Sequence, residues 1–170
     1  VIAPQWAVPP RVKAFTTTRM GGVSQAPFDS LNLGDHVDDA LEAVHKNRAL
    51  IQTQYHLPSE PVWLQQAHTT TVVSADKPFD VAPLADASVG RTPGRVCVVL
   101  TADCLPLLIS NAGGTEVAAV HAGWRGLADG IVMETFKACE SPIADLHVWM
   151  GPAIGPSAFE VGEEVRALFL

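Results

Sequence analysis

The chain has 170 residues, of which 48% are hydrophobic and 17% are charged, a composition that excludes an intrinsically disordered protein. Eighteen acidic residues against eleven basic ones give a net charge of −7 and leave no basic patch for a nucleic acid. No apolar run approaches the ~18 residues that would span a bilayer. We therefore expect one folded domain over residues 1–170, with neither a nucleic-acid nor a membrane partner.

The cysteine content indicates a reducing compartment. Three cysteines, Cys97, Cys104 and Cys139, form no C-x-x-C pair, and an odd number would leave one thiol unpaired in a secreted domain. Residues 1–10 also lack the basic start and apolar stretch of a signal peptide. We expect a cytoplasmic protein.

The N-terminal third predicts a strand, a loop and a helix. Residues 12–18 are rich in β-branched and aromatic side chains, which favours a strand. Residues 21–34 form a long loop rich in Gly, Pro, Ser, Asp and Asn, and loops of this length are often functional. Asp38 or Asp39 is then expected to cap a helix that runs to about Gln54.

The remaining two thirds alternate strands and helices. Residues 62–66 and 70–74 predict strands on either side of His68, and residues 77–93 predict a Pro-rich loop. Further strands are predicted at 96–101, 105–110, 116–121 and 146–150, and helices at 127–139 and 161–170. Hairpin-like strands mixed with helices favour an α+β domain with mixed β-sheets and flanking helices.

One predicted hairpin brings a cysteine and a histidine together. Cys104 precedes the strand at 105–110, His121 ends the returning strand, and residues 111–114 form the turn between them. Because a hairpin brings its two ends together, we expect Cys104 and His121 to be close neighbours. His68 comes from a separate strand, and the sequence alone does not place it.

These residues are compatible with two chemistries. In the first, His68, Cys104 and His121 bind zinc and leave a fourth position open, as in catalytic sites. In the second, Cys104 is a nucleophile and His121 is its general base. A purely packing role, the commonest one for an isolated buried Cys or His, also stays open at this point.

Several segments, in order, resemble the YfiH/LACC family, also called DUF152. The matching segments are TTTRMGGVS at 16–24, SLNLG at 30–34, NR at 47–48, TADCLP at 101–106, HAGWRG at 121–126, GPAIGP at 151–156 and FEVG at 159–162. This resemblance covers nearly the whole chain. It implies an α+β, YfiH-like cysteine hydrolase fold that is similar to a toxin catalytic domain.

The resemblance also implies an activity and a ligand set. The family's zinc ligands correspond to His68, Cys104 and His121, the residues already considered as zinc ligands. Its members are described as purine nucleoside phosphorylases that act on adenosine, inosine, guanosine and methylthioadenosine, and as adenosine deaminases. Other descriptions are peptidoglycan-precursor editing, which a Cys–His or metal-dependent amide hydrolase would perform, and a laccase-like copper oxidoreductase. We expect Zn²⁺, with copper possible, and a nucleoside and phosphate as partners.

Phosphorolysis needs a site for an anion, and four residues are expected to supply it. Arg19 and Ser24 lie in or beside the glycine-rich loop, Asn32 offers an amide to the same group, and Arg125 follows His121 closely. Asp103 is expected to support a histidine ligand, with an ion pair to Arg125 as the structural alternative.

Some features of the sequence do not fit the oxidase and deaminase activities described for the family. Six histidines with no H-x-H pair are too few for a four-copper oxidase, which makes the laccase activity the weakest interpretation. The H-x-E and P-C-x-x-C signature of cytidine-type deaminases is absent as well. Family members continue beyond Leu170, so we expect this chain to lack a C-terminal segment. A metal-stabilised interaction domain without activity is the non-enzymatic alternative.

Overall fold

A five-stranded sheet with the strand order β1-β2-β4-β3-β5 forms the centre of the molecule. The computed structural model describes residues 1–170. The elements are α1 (Leu41–Gln54), β1 (Val72–Ser74), β2 (Ala87–Gly90), β3 (Leu105–Asn111), β4 (Val117–Ala122), α2 (Trp124–Asp129), α3 (Ile131–Ala138), β5 (Leu146–Met150) and α4 (Glu163–Arg166), with a 3-10 turn at Ile143–Asp145. The predicted α+β class with a mixed sheet is confirmed. No helix combines the length and the apolar character that a membrane crossing requires.

The sheet is mixed because one pair of neighbouring strands is parallel. β1 runs parallel to β2, while the β2–β4, β3–β4 and β3–β5 pairs are antiparallel. The starts of β1, β2 and β3 and the end of β4 therefore meet at the same end of the sheet, which we call the site end. The predicted hairpin is the β3–β4 pair, in which Leu105 faces Ala122 and Pro106 faces His121.

One face of the sheet supplies the core. Alternate residues of β3 and β4, such as Leu107 with Val120 and Ile109 with Ala118, are paired and buried. Ile131 of α3 packs on them and is fully buried. Burial extends over most positions of both strands, as the apolar runs of the sequence predict, and it anchors the hairpin that places Cys104 beside His121.

Three predicted strands, at 12–18, 62–66 and 96–101, reduce to isolated bridges. Thr16 pairs only with Ile2, Val62 only with Cys97, and Gln65 only with Leu84. Prolines at 4, 9, 10, 61 and 93 flank these stretches, and each lacks the N–H group that a continuing ladder requires. High β-propensity does not extend a strand that has no regular partner.

The predicted loop at 77–93 contains β2, a central strand. Its sequence, Ala-Ser-Val-Gly, has a single β-branched residue and no alternating pattern, so its position between two strands determines its conformation. All four of its residues are buried between β1 and β4.

The helices also differ in detail from the prediction. The helix expected at 127–139 is two helices that meet at Gly130, whose φ of +97° is left-handed and ends α2. The last helix is limited to Glu163–Arg166. The predicted Asp cap of α1 is wrong because Ala40 is the N-cap and the Asp39 carboxylate binds the neighbouring loop instead.

Candidate metal centre

Cys104 and His121 lie together at the site end of the sheet, as the hairpin requires. Cys104 immediately precedes β3, and His121 is the fifth residue of β4. His121 is buried and Cys104 is half-buried. The chain order of the hairpin is therefore sufficient to bring the thiol and the imidazole into one site.

His68 completes the cluster from the turn that precedes β1. Its Nε2 atom lies 3.7 Å from the Cys104 Sγ atom. Its ring packs edge-on against that of His121, with centroids 4.8 Å apart and an interplanar angle of 69°. The ligand atoms of the three residues all lie within 4.8 Å of one another. The structure thus brings together the three residues that the sequence proposed as metal ligands.

The donor set fits zinc. Zn–S bonds of about 2.3 Å and Zn–N bonds of about 2.0 Å at tetrahedral angles place a sulfur and a nitrogen about 3.5 Å apart. The observed distance of 3.7 Å between the Cys104 and His68 donors agrees with that value. Three protein ligands leave one tetrahedral position for a water or a substrate. A thiolate with two imidazoles also suits copper.

The carboxylate that contacts both histidines of the cluster is that of Asp86, directly before β2. Asp86 is fully buried, and its Oδ1 atom lies 2.8 Å from the Nδ1 atom of His121. Burial raises the pKa of Asp86, but hydrogen bonds from His121 and Thr69 outweigh burial and lower that pKa below its usual value. Asp86 is therefore an anion that fixes the His121 ring.

Asp103, which the sequence assigned to this supporting role, lies elsewhere. Its side chain makes no hydrogen bond or ion pair, and its backbone oxygen accepts a bond from the Ile154 N–H at 2.9 Å. It is exposed, as is Arg125, and no ion pair joins the two. Asp103 contributes a nearby negative charge rather than a hydrogen bond to a ligand.

Gly123 leaves the space in which the three side chains meet. A Cβ atom at this position would lie 2.5 Å from Cδ2 and 3.0 Å from Nε2 of His68, and 3.0 Å from Sγ of Cys104. Carbon atoms pack at about 3.5 Å or more. Glycine is thus required here by the close approach of the backbone to two side chains of the cluster.

The thiol of Cys104 is not activated by its surroundings. Burial raises its pKa, and the nearby carboxylates of Asp103 and Asp86 raise it further. Nucleophilic cysteines depend on the opposite shift, while a metal ion stabilises a thiolate directly. The two other cysteines, Cys97 and Cys139, each have a pKa raised by burial to about 11.

The loop at 21–34 is ordered by hydrogen bonds to α1. The fully buried Asn47 amide donates to the Ser24 hydroxyl at 2.9 Å and accepts a bond from the Val23 N–H at 2.8 Å. Ser24 and the Asn32 amide both donate to the Asp39 carboxylate, at 2.6 and 3.0 Å. Ser24 and Asn32, which the sequence predicts to bind phosphate, therefore already donate hydrogen bonds to a carboxylate.

The two predicted arginines differ in their partners. Arg19 makes an exposed ion pair with Asp29 at 2.9 Å. Arg125 has no acidic partner, and its guanidinium stacks on the Trp124 ring at 4.1 Å. No hydrogen bond connects Arg19, Ser24 or Asn32 with the His–Cys–His cluster. Arg125 is thus a cation without an acidic partner, two residues after Gly123 in the chain.

Asp86 is the residue of the candidate site that sequence reasoning missed. It lies in a segment predicted to be loop, eighteen positions after His68. The one feature of the sequence that could have indicated Asp86 is its position directly before the small residues Ala87–Gly90, all of which are buried. Gly123 was visible in a matching motif, but its steric role follows only from the packing around it.

The fold and the cluster define a class of protein, an α+β domain with one His–Cys–His site at the end of a mixed sheet. The sequence model for the family described as "Multi-copper polyphenol oxidoreductase laccase" matches residues 13–170. The chain belongs to this family, to which YfiH and DUF152 proteins also belong.

Two curated relatives match nearly the whole chain. A Shigella flexneri protein named "Purine nucleoside phosphorylase YfiH" is 51% identical over 170 residues, which are 100% of this chain and 70% of the relative. A Pseudomonas aeruginosa protein, also named a purine nucleoside phosphorylase, is 54% identical over 169 residues, 99% of this chain and 68% of the relative.

Solved structures have the same fold. A Neisseria meningitidis DUF152 protein superposes with a TM-score of 0.94 at 48% identity and covers 99% of this chain and 69% of its own. YlmD from Geobacillus stearothermophilus gives a TM-score of 0.80 at 30% identity, over 89% of this chain and 62% of its own.

Proposed function

We propose that the chain is a metal-dependent purine nucleoside phosphorylase whose metal, Zn²⁺, is held by His68, Cys104 and His121. The observation that carries this proposal is the convergence of three ligand atoms within 4.8 Å from three separate segments. Several close relatives are named purine nucleoside phosphorylases, which supports the reaction class. When bound, the metal would supply a Lewis acid with one open coordination position.

Phosphorolysis transfers the ribosyl group from the base to phosphate. A phosphate oxygen forms a bond to C1′ of the ribose, the C1′–N9 bond breaks, and its electron pair leaves with the purine, which takes up a proton. This chain's part is to orient both substrates and to balance the phosphate charge. Arg125 suits the second task because its guanidinium is exposed and has no acidic partner. Arg19 remains a second candidate for phosphate, with Asp29 as the group that phosphate would displace.

An apolar cleft beside Trp124 suits a purine ring. Trp124 shares the cleft with Phe159, Val161, Val165 and Phe169. Planar bases gain from contact with aromatic side chains and apolar walls. Adenosine deamination is a further proposed activity of the same centre, and inosine would be its product.

The other interpretations of the site are weaker. The His–Cys–His cluster is the only group of three or more metal-capable side chains in the structure, whereas a multicopper oxidase needs several such groups. For a Cys104 hydrolase acting on a peptidoglycan precursor, the sequence predicts His121 as the base, but the histidine within hydrogen-bond distance of the Cys104 thiol is His68. The raised pKa of that thiol opposes a nucleophilic role as well. A non-enzymatic metal-stabilised domain would show chelator-sensitive melting without turnover.

One incubation tests the proposal. The purified chain, loaded with Zn²⁺, is incubated with adenosine or inosine with and without phosphate, and purine base, ribose 1-phosphate and inosine are measured. We expect base release that requires phosphate, is abolished in Cys104→Ala and survives in the control Cys139→Ala. Nucleoside turnover by metal-free protein that a thiol reagent stops would instead indicate that Cys104 acts as a nucleophile, and full activity of Cys104→Ala would refute both roles of Cys104.

A further inference from the structure

We propose that Asp86 is the positioning residue of the metal centre, because its one carboxylate holds both histidine ligands in the geometry that a metal requires. The inference rests on the metal site proposed above. It assigns a role to a residue that touches neither metal nor substrate. Three features support that role: the turn that carries His68, the ring of His121, and the rigidity of Asp86 itself.

The first feature is the turn that carries His68. Three consecutive N–H groups, from Ala67, His68 and Thr69, donate to the Asp86 carboxylate at 3.2, 3.0 and 2.6 Å, and the Thr69 hydroxyl adds a bond of 2.8 Å. His68 has a φ of +58°, a left-handed conformation that non-glycine residues adopt at a cost of about 1 kcal/mol. The converging hydrogen bonds compensate for that cost and turn the His68 ring toward Cys104.

The second feature is the ring of His121. The same Oδ1 atom that accepts from the His68 N–H lies 2.8 Å from Nδ1 of His121. A carboxylate only accepts, so Nδ1 must carry a proton and Nε2 is left with its lone pair for a metal. One oxygen atom thus couples the backbone of one ligand to the ring of the other.

The third feature is the rigidity of Asp86. Its own backbone N–H donates to the Thr71 carbonyl at 3.1 Å, and its carbonyl accepts from the His121 N–H at 2.7 Å. Asp86 is therefore fixed between the segment that leads from His68 into β1 and the strand β4 that carries His121, at the site end of the sheet. The Asp86 carboxylate and a Cys104 thiolate would also carry two negative charges, which balance the charge of a divalent cation.

The substitution Asp86→Asn separates this role from a general structural one. An amide has one acceptor oxygen and one NH2 group, whereas five donors converge on the Asp86 carboxylate. If the NH2 group faces His121, the proton of that ring moves to Nε2, where the lone pair is needed. If it faces the turn, the N–H groups of Ala67 and Thr69 oppose it, and the turn that carries His68 loses bonds on both sides of that residue.

Asp76→Asn is the matched control. Asp76 also accepts backbone N–H groups, those of Arg91 and Thr92 at 2.8 to 3.1 Å, but at the opposite end of β2. Both variants lose hydrogen bonds that backbone N–H groups donate to a carboxylate, and only Asp86→Asn alters the hydrogen bond with His121. A purely structural role would lower the stability of both variants and leave metal affinity unchanged in both.

The test combines metal titration with nitrogen spectroscopy of the histidine rings. Zn²⁺ affinity is measured by competition with a chelating dye, and the Co²⁺ form is followed by its thiolate absorption. We expect a 10- to 100-fold loss of affinity in Asp86→Asn and less than threefold in Asp76→Asn. In the metal-free wild-type chain, ¹⁵N shifts should show His121 protonated at Nδ1, a result that does not depend on any variant folding.

The outcomes distinguish the two proposals. If the wild-type chain binds no metal, the metal centre fails, and this inference with it. If the wild type binds metal and Asp86→Asn binds it equally well, or if His121 carries its proton on Nε2, only the role of Asp86 is refuted.

Discussion

Adding one methyl group at Gly123 should disable the centre without unfolding the chain. The new Cβ atom of Gly123→Ala would lie 2.5 Å from Cδ2 of His68, where carbon contacts need about 3.5 Å. The His68 ring must therefore retreat by about 1 Å. Metal–ligand distances tolerate deviations of about 0.2 Å, and the Asp86 bonds to the turn prevent the backbone of His68 from following.

We expect the dissociation constant for Zn²⁺ to rise about 100-fold in Gly123→Ala, equivalent to about 2.8 kcal/mol. The backbone of Gly123, with φ −66° and ψ 160°, is allowed for alanine, so metal-free stability should change by less than about 1 kcal/mol. The control is Gly113→Ala in the β3–β4 turn, where the added Cβ meets nothing closer than 3.8 Å. Chelator competition and urea unfolding measure both quantities, and wild-type metal affinity in Gly123→Ala would refute the steric argument.

Two further predictions concern stability. Gly22→Ala should lower the free energy of unfolding by about 3 kcal/mol in urea, because its Cβ would clash with backbone atoms, including Leu31 Cα at 2.6 Å; an unchanged midpoint would contradict this packing. Burial raises the pKa of the Glu116 carboxyl, but bonds from the N–H groups of Glu140 and Ser141 outweigh it and hold that pKa below 4.5. Its stabilisation is therefore complete above pH 4.5 and is lost as the pH falls through the lowered pKa. Glu116→Gln should cost about 2 kcal/mol at pH 7 and progressively less below pH 4.5, and a pH-independent difference would exclude this explanation.

The sequence alone predicts the part of the site whose geometry depends on the pairing of two neighbouring strands. Cys104 and His121 flank a hairpin, and hairpin register depends on neighbouring residues and a short turn. Their proximity therefore follows from the sequence pattern alone. His68 entered the set through its residue type and through a family resemblance, because its place depends on a parallel pairing between β1 and β2 that local patterns do not encode.

The parts of the fold and of the site that the sequence did not predict depend on tertiary contacts. β2 is a strand because two neighbours pair with it, and its small residues give no strand pattern of their own. Since Asp86 precedes this unrecognised strand, sequence reasoning missed the carboxylate that organises both histidines and favoured the exposed Asp103 next to Cys104 in its place. Ser24 and Asn32 have the chemistry to bind phosphate, whereas in the fold they bind Asp39. Composition does not show which polar groups are already paired.

The most direct test of the proposed function is a phosphate-dependence measurement on inosine with a defined metal content. The chain is stripped of metal, reloaded with one equivalent of Zn²⁺, and assayed for hypoxanthine and ribose 1-phosphate. We predict equal amounts of the two products, formed only when both phosphate and Zn²⁺ are present. Failure of the reloaded chain to release hypoxanthine, or equal release by the metal-free chain, would contradict the proposed function.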